Sequence, residues 1–452
     1  MGQETIPMKP DIVRKHGAPV PRYTSYPTAP HFSPHVGELQ YVDWLARLEA
    51  NARLSLYVHI PFCHELCWYC ACNTRATRRY APVAQYLISL HAEIANVAAL
   101  VPPAHTVTHI HWGGGSPNIL SERDIGLLAG EIRGRFHLDK AAEFAVEIDP
   151  RRLDGAQVEA LASAGVTRVS IGVQDFDSTV QASIGRAQSF EATKSAIDAF
   201  RAKGIRSINI DLVYGLPHQT EASVDRTLGR VLELEPDRVA AFGYAHVPGR
   251  MKHQRLIPAE ALPDTAGRYV QSSRITQRLQ ESGYVRVGLD HFARPTDALA
   301  LLPVARNFQG YTTDRADALL GLGASAISRL PQGYVQNAVA TGDYMRRVRD
   351  YGLATAKGIV LTGEDRLRAH VIERLMCDLV FSAGDVRSRF GALADPVIAE
   401  AQALIASDEE ALLEATPDGF RVTERGRPFI RSICSCFDAY LGKGNTRHSL
   451  GV

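Results

Sequence analysis

Four of the chain's seven cysteines fall within ten consecutive residues of the stretch YVHIPFCHELCWYCACN (57–73): Cys63, Cys67, Cys70 and Cys72, spaced C-x3-C-x2-C-x-C. Thiols that close can bridge, hold a metal or do redox chemistry. Disulfides between such near neighbours are strained and suit a secreted chain better. Structural zinc commonly takes two well-separated CxxC knuckles. Here the intervening residues are bulky (Leu66, Trp68, Tyr69), and Cys377, Cys434 and Cys436 lie far along the chain and read as structural. Thiolates are soft ligands, and iron–sulfur clusters are their other standard occupant beside zinc.

A cysteine loop needs elements to position it. From residue 54 a strand–helix alternation begins. Apolar runs at 54–60, 108–115, 143–150, 168–176, 207–217 and 238–248 alternate with helical patterns at 83–98, 125–136, 158–164, 190–203 and 221–234. Short buried strands each followed by a helix predict a parallel sheet with right-handed crossovers, either doubly wound or part of a (β/α) barrel. In both, function sits at the C-terminal ends of the strands. Those ends carry the cysteine loop, the 113–116 turn, Glu147 with Asp149, Gln174 with Asp175, Asp211 and His246.

The first 50 residues are rich in Pro and Tyr. They read as an extended arm, docked on the body by Tyr23, Tyr26 and Phe32. The 366–383 and 389–407 segments read as helices, followed by a hairpin at 419–426 and a last helix, an order that resembles a winged helix. The expected division is 1–50 arm and lead-in, 51–360 catalytic domain and 361–452 helical domain.

With 452 residues, 45% hydrophobic and 22% charged, the chain has the composition of a soluble globular protein large enough for more than one domain. Its 50 basic and 49 acidic side chains give no field for nucleic acid or an anionic membrane. The N-terminal sequence shows neither a signal-peptide core nor a myristoylation pattern. With no run of about 18 apolar residues, a cytoplasmic protein is expected, with its thiols reduced.

C-x3-C-x2-C in the loop after the first strand of a βα series resembles the signature of radical S-adenosylmethionine (SAM) enzymes. The resemblance implies that Cys63, Cys67 and Cys70 hold three irons of a [4Fe–4S] cluster and leave the fourth for SAM, while GGGSP (113–117) meets the methionine amino group. PRYTSYPT (21–28), HWGGGSP, EIDPR, GVQDF, IDLVYGLP, YAHVP, DHFARP, RNFQGYTT and ICSCFDAYL narrow the likeness. Over residues 20–441 the chain resembles the oxygen-independent coproporphyrinogen III oxidase family, and Cys72 is the most discriminating single residue.

That family implies a partial (β/α)6 radical SAM barrel with an N-terminal arm and a small, mostly helical C-terminal domain. Its reaction is oxidative decarboxylation of two propionates of coproporphyrinogen III to vinyls, giving protoporphyrinogen IX, by a 5′-deoxyadenosyl radical. It implies one or two SAM molecules, held by Tyr57, Tyr69, Gly114, Gly115, Ser116, Glu147, Gln174, Arg186, Asp211, Ala245 and Ile327. Cys72 and Tyr57 become the catalytic candidates, and Arg22, Arg294 and Arg306 the carboxylate-binding ones. The implied partners are the substrate and a one-electron reductant such as flavodoxin or ferredoxin; nucleic acid and membrane are not implied, and a monomer is. Rival readings are a related radical SAM methyltransferase, a haem-degrading enzyme and a haem-binding chaperone. The chain departs from the family pattern at Gly185 and Gly243, both usually Asn, at Ser116 (usually Thr), and before Arg306, where the stretch is short and Ala305 replaces His.

Overall fold

The strands are near-continuous apolar runs and the helices have one apolar side, so burying both requires stacking helices on a sheet. The computed structural model describes residues 10–443 and 451. The opening residues, where the sequence shows no leader pattern, lie outside the described residues. The arm carries helices α1 (Pro10–His16) and α2 (Glu38–Ala46). The repeat follows: β1 (Arg53–Ile60), a loop closed by β2 (Phe62–Cys63) and β3 (Arg75–Ala76), α3 (Ala81–Leu100), β4 (Thr106–Gly114), α4 (Glu122–Arg135), β5 (Leu138–Ile148) and α5 (Gly155–Ser163). It continues with β6 (Arg168–Gln174), α6 (Ser178–Ser183), α7 (Phe190–Ala202), β7 (Ser207–Tyr214), α8 (Glu221–Glu233) and β8 (Arg238–Gly243).

After α9 (Thr265–Glu281) come β9 (Val285–Val287), β10 (His291–Ala293), α10 (Ala298–Leu301) and the hairpin β11 (Ala305–Asn307)–β12 (Gly310–Thr312). The catalytic region ends with β13 (Ala318–Leu322), β14 (Ile327–Leu330), β15 (Gly333–Asn337), α11 (Thr341–Tyr351) and β16 (Thr355–Val360). One sheet of 12 strands runs β16-β15-β14-β13-β1-β4-β5-β6-β7-β8-β10-β9. Its edges, β16 and β9, do not pair with each other, so the barrel is partial, as expected.

Six parallel strands are expected; the structure adds a seventh. β13 pairs parallel with β1, Leu54 opposite Ala318 and Val58 opposite Leu322. The five-residue run ALLGL reads equally as buried helix or strand from its pattern. Residues 284–295 form two three-residue strands that extend the sheet antiparallel beyond β8.

The C-terminal region holds α12 (Gly363–Asp378), β17 (Val380–Ser382), α13 (Ala383–Phe390), α14 (Asp395–Ala406), β18 (Leu413–Thr416), β19 (Gly419–Val422) and α15 (Ile430–Ser435). Leu379, at φ 60°, ends α12 earlier than its apolar pattern suggests and turns the chain into β17. The hairpin begins at Leu413, before the expected 419.

Two large cores result. One runs through the sheet and its helices, and the other fills the C-terminal region. Tyr23 and Tyr26 of the arm belong to the second core, and Phe32 stacks on Tyr334 at 5.7 Å. The arm is docked, as expected, with each buried aromatic contributing roughly 1.5–3 kcal/mol.

One helix among the described residues, α3, is long and apolar enough by length and composition to cross a bilayer. Its Val83, Leu87, Leu90, Ile94 and Val97 lie in the first core. Its buried Glu93 accepts hydrogen bonds from Gly323 N–H, Asn337 Nδ2 and Tyr344 Oη.

Candidate active site

β1 delivers the chain to the cysteine loop at the C-terminal edge of the sheet. The parallel pairing of Phe62–Cys63 with Arg75–Ala76 closes it. Trp68 N–H donates to Ile184 O (2.9 Å) and Gln254 Nε2 to Tyr69 O (2.9 Å), and His253 Nε2 lies 2.6 Å from Cys70 O. The loop is thus tied to α6 and to the segment after β8. Each of its first three thiols has a polar partner. Thr74 Oγ1 (3.2 Å) and Ser116 Oγ (3.6 Å) meet Cys63 Sγ, and Arg186 Nη1 (3.3 Å) and Arg151 Nη2 (3.6 Å) donate to Cys67 Sγ. Cys72 N–H donates to Cys70 Sγ (3.4 Å).

These three thiols line one cavity of about 570 Å³, together with Tyr69, Gly114, Gly115, Ser116, Glu147, Gln174, Arg186, Asp211 and Ala245. Among the described residues, no three His, Cys, Asp or Glu converge closely enough to hold a single metal ion. Three thiols on one cavity without that convergence suit a multi-iron cluster better than zinc. Arg186 supplies a further sign of fit. Its Nε is buried without a hydrogen-bond partner, while its other nitrogens reach Gly172 O (2.6 Å) and Cys67. A buried orphan donor beside thiolates is matched by a carboxylate ligand such as the methionine end of SAM.

The glycine turn makes room for site residues. A Cβ at Gly113 would stand 2.6 Å from Glu147 Oε1, and one at Gly115 2.7 Å from Thr74 Oγ1. Glu147, ending β5, accepts from His111 Nε2 (3.1 Å) and Gly114 N–H (3.2 Å). Burial pushes its carboxyl up, but the His111 hydrogen bond and charge and the Gly114 N–H prevail and hold it below the usual range. Asp211, on β7, is pushed the other way, to about 7, by burial and by the negative charge of Glu147. The cavity therefore pairs an ionised carboxylate with a carboxyl that is partly protonated near neutrality. Gln174 sits at φ 70°, an uncommon conformation for a side-chain-bearing residue, beside a register shift that aims it off the sheet.

A second cavity, of about 430 Å³, shares Arg22, Cys72, Glu147, Ser170, Asp211 and Gly243 with the first. The two form one continuous site. Arg22 and Cys72 have exposed surfaces because those surfaces form cavity wall, and burial among neighbours lowers the Arg22 basicity. Arg306 lines the second cavity; Arg294 does not. Arg294 Nε donates to Pro236 O (3.0 Å), its guanidinium lies over the Tyr284 ring, and Ala293 beside it pairs with Arg238 at the start of β8, opposite Gly243. Its expected substrate role is corrected: it braces the far end of the barrel.

Tyr57 and Ile327 line neither cavity. Tyr57 Oη bonds His59 Nδ1 (2.9 Å), and its ring stacks on His111, so it stands behind Glu147. Ile327 presents backbone to Gly321, which pairs with Tyr57. Asp175 is also internal, bonded to Thr227, Gln219 and Asp177 N–H. Of the three distant cysteines, Cys434 is core, Cys377 half-buried and Cys436 exposed. The sequence reading missed Arg268 and Arg431, which line the second cavity. No local pattern marks them: Arg268 reads as the polar face of α9, and Arg431 as one charge in an apolar helix.

The Radical SAM superfamily matches residues 57–231, and the HemN C-terminal domain matches residues 361–429. A protein of Bradyrhizobium diazoefficiens named oxygen-independent coproporphyrinogen III oxidase is 48% identical over 450 residues, covering 98% of this chain and all of that protein. The Escherichia coli K12 protein of the same name is 40% identical over 435 residues, 95% of each chain. The solved structure of the E. coli coproporphyrinogen III oxidase HemN, described as a radical SAM enzyme, superposes with a TM-score of 0.90 at 39% identity. It covers 97% of this chain and 100% of that one.

Proposed function

This chain belongs to the oxygen-independent coproporphyrinogen III oxidase family of radical SAM oxidoreductases, and on that premise we propose that it converts coproporphyrinogen III to protoporphyrinogen IX by oxidative decarboxylation of two propionates. The observation that carries this reading is the junction of the two cavities. A pocket with three thiols and an orphaned arginine Nε opens, past Glu147, Asp211 and Cys72, into a pocket walled by arginines.

Cys63, Cys67 and Cys70 would hold a [4Fe–4S] cluster, with Arg186 on the SAM carboxylate and Glu147 and Asp211 on its hydroxyls or ammonium. When bound, the cluster and SAM supply a one-electron reduction and the carbon radical that takes hydrogen from the propionate β-carbon. Cys72 is free of the cluster in this reading and faces both cavities, where it can pass a proton or an electron. His111 holds Glu147 ionised, and Tyr57 packs against His111. We assign one SAM to the cysteine cavity. Its neighbour then takes the tetra-anionic macrocycle, with Arg22 and Arg306 among its carboxylate donors.

The assigned units are the arm to residue 50, the barrel over 51–360 and the C-terminal domain from 361. A small one-electron carrier such as flavodoxin or ferredoxin would reduce a monomeric, cytoplasmic enzyme, in keeping with near-neutral charge and free thiols. The test is anaerobic turnover of the reconstituted protein with SAM, a reductant and coproporphyrinogen III. Protoporphyrinogen formed with methionine and 5′-deoxyadenosine supports the reading. SAM cleavage with no decarboxylation points to another radical SAM reaction, and haem binding with no SAM cleavage to a chaperone.

A further inference from the structure

The second cavity carries more positive charge than its own acids neutralise. Arg22, Arg268, Arg306 and Arg431 reach it from the arm, α9, β11 and α15. Its acids are engaged elsewhere: Glu143 with Arg168, Glu147 with His111, Asp314 with His109 and Asp290 with His291. Two nitrogens of Arg306, Nε and Nη1, are buried without a hydrogen-bond partner. Burial, then the charge of Arg22, pushes the Arg431 guanidinium down to about 9, and Arg268 is lowered by burial and by Arg22 as well. Guanidinium groups that repel one another in a buried wall are the counterpart of an absent polyanion.

The chain also clears space for Arg268. A Cβ at Gly243 would stand 2.8 Å from Arg268 Nη2 and 3.1 Å from Tyr214 Oη, and one at Gly215, at φ +80°, would overlap Arg268 Nη1. The asparagine expected at position 243 would displace this guanidinium.

Position within the joint site says which carboxylates these groups serve. Arg268, Arg306 and Arg431 line the second cavity alone, and the three cluster-loop thiols Cys63, Cys67 and Cys70 line the first alone. A propionate that leaves as CO2 loses its charge. A charge-assisted, two-pronged pair would stabilise that propionate in the reactant more than in the transition state and slow its departure. We propose that Arg268, Arg306 and Arg431 grip the propionates that survive the reaction, and so turn the reacting edge of the macrocycle toward the cysteine cavity. This rests on the coproporphyrinogen reading above.

The test uses two stable oxidised probes titrated anaerobically against the full-length protein by fluorescence: coproporphyrin III, with four carboxylates, and deuteroporphyrin IX, which keeps only the two at the surviving positions. R268Q and R306Q should each weaken both probes by about tenfold or more, the loss of a charge-assisted pair. G243N should do the same without deleting a charge. Arg431 also donates to Val20 O and Pro21 O, so R431Q can unseat the arm and is judged on whether R268Q shows the same pattern. A variant that loses coproporphyrin but keeps deuteroporphyrin affinity would assign these arginines to the reacting propionates and overturn the proposal, as would unchanged affinity for both. Wild-type protein that binds neither probe would instead sink the substrate reading.

Discussion

Single side chains divide sharply by where the fold puts them. Arg306 and Arg294 look alike in sequence, and only Arg306 faces the cavity. Arg306→Ala should raise the KM for coproporphyrinogen about tenfold or more with SAM cleavage intact. Arg294→Ala should leave KM unchanged and lower the melting temperature; a KM shift for Arg294→Ala would restore it to the site. Cys72→Ser should keep the broad absorbance of a reconstituted cluster, since three thiols remain, yet uncouple SAM cleavage from product. Loss of the cluster on that change would make Cys72 a ligand. The cluster thiols were legible from spacing alone, because three ligands in one short loop need no distant partner. The carboxylate-binding arginines were not, because α9 and α15 meet the cavity only after folding.

At the scale of elements, the parallel repeat was legible because each strand is an uninterrupted apolar run ended by polar or turn residues. β13 escaped because its only signal is five residues long and its partner, β1, lies far away in sequence. Glu93 ties α3 to β15 and α11 through buried hydrogen bonds to Asn337 and Tyr344. Burial raises its carboxyl to about 7. A group whose folded pKa is raised adds stability fully present below its unfolded value, near 4.3, and loses it as pH rises through the folded value. Asp211, also raised to about 7, acts in the same sense. The apoprotein should therefore melt at a lower temperature at pH 8 than at pH 5.5, with roughly 3 kcal/mol at stake per group as an upper figure. Glu93→Gln should flatten that dependence. A melting temperature that rises with pH over this range would contradict the assignment.

The whole molecule closes its site with parts from both ends of the chain. Tyr23 and Tyr26 sit in the C-terminal core, Arg431 holds Val20 and Pro21 by their carbonyls, and Arg22 then donates to Gly243 O across the cavity (2.8 Å). Arm and C-terminal domain thus form one wall facing the barrel. Deleting residues 1–28 should leave cluster assembly intact, because the cysteine loop is tied to the barrel itself. Product per SAM cleaved should fall sharply, with 5′-deoxyadenosine still formed. Equal coupling in the truncated and full-length proteins would show that the arm has no part in the site.

The sequence by itself determined the cluster loop, the parallel repeat, the sheet edge where chemistry occurs and the family. Each is written in short-range spacing or in a run of contiguous residues. The tertiary structure alone decided that β13 joins β1, that Arg294 lies at the wrong end of β8, and that Arg268 and Arg431 face a cavity completed by the arm. Those facts depend on contacts between residues tens to hundreds of positions apart, which long-range packing sets and local pattern does not encode.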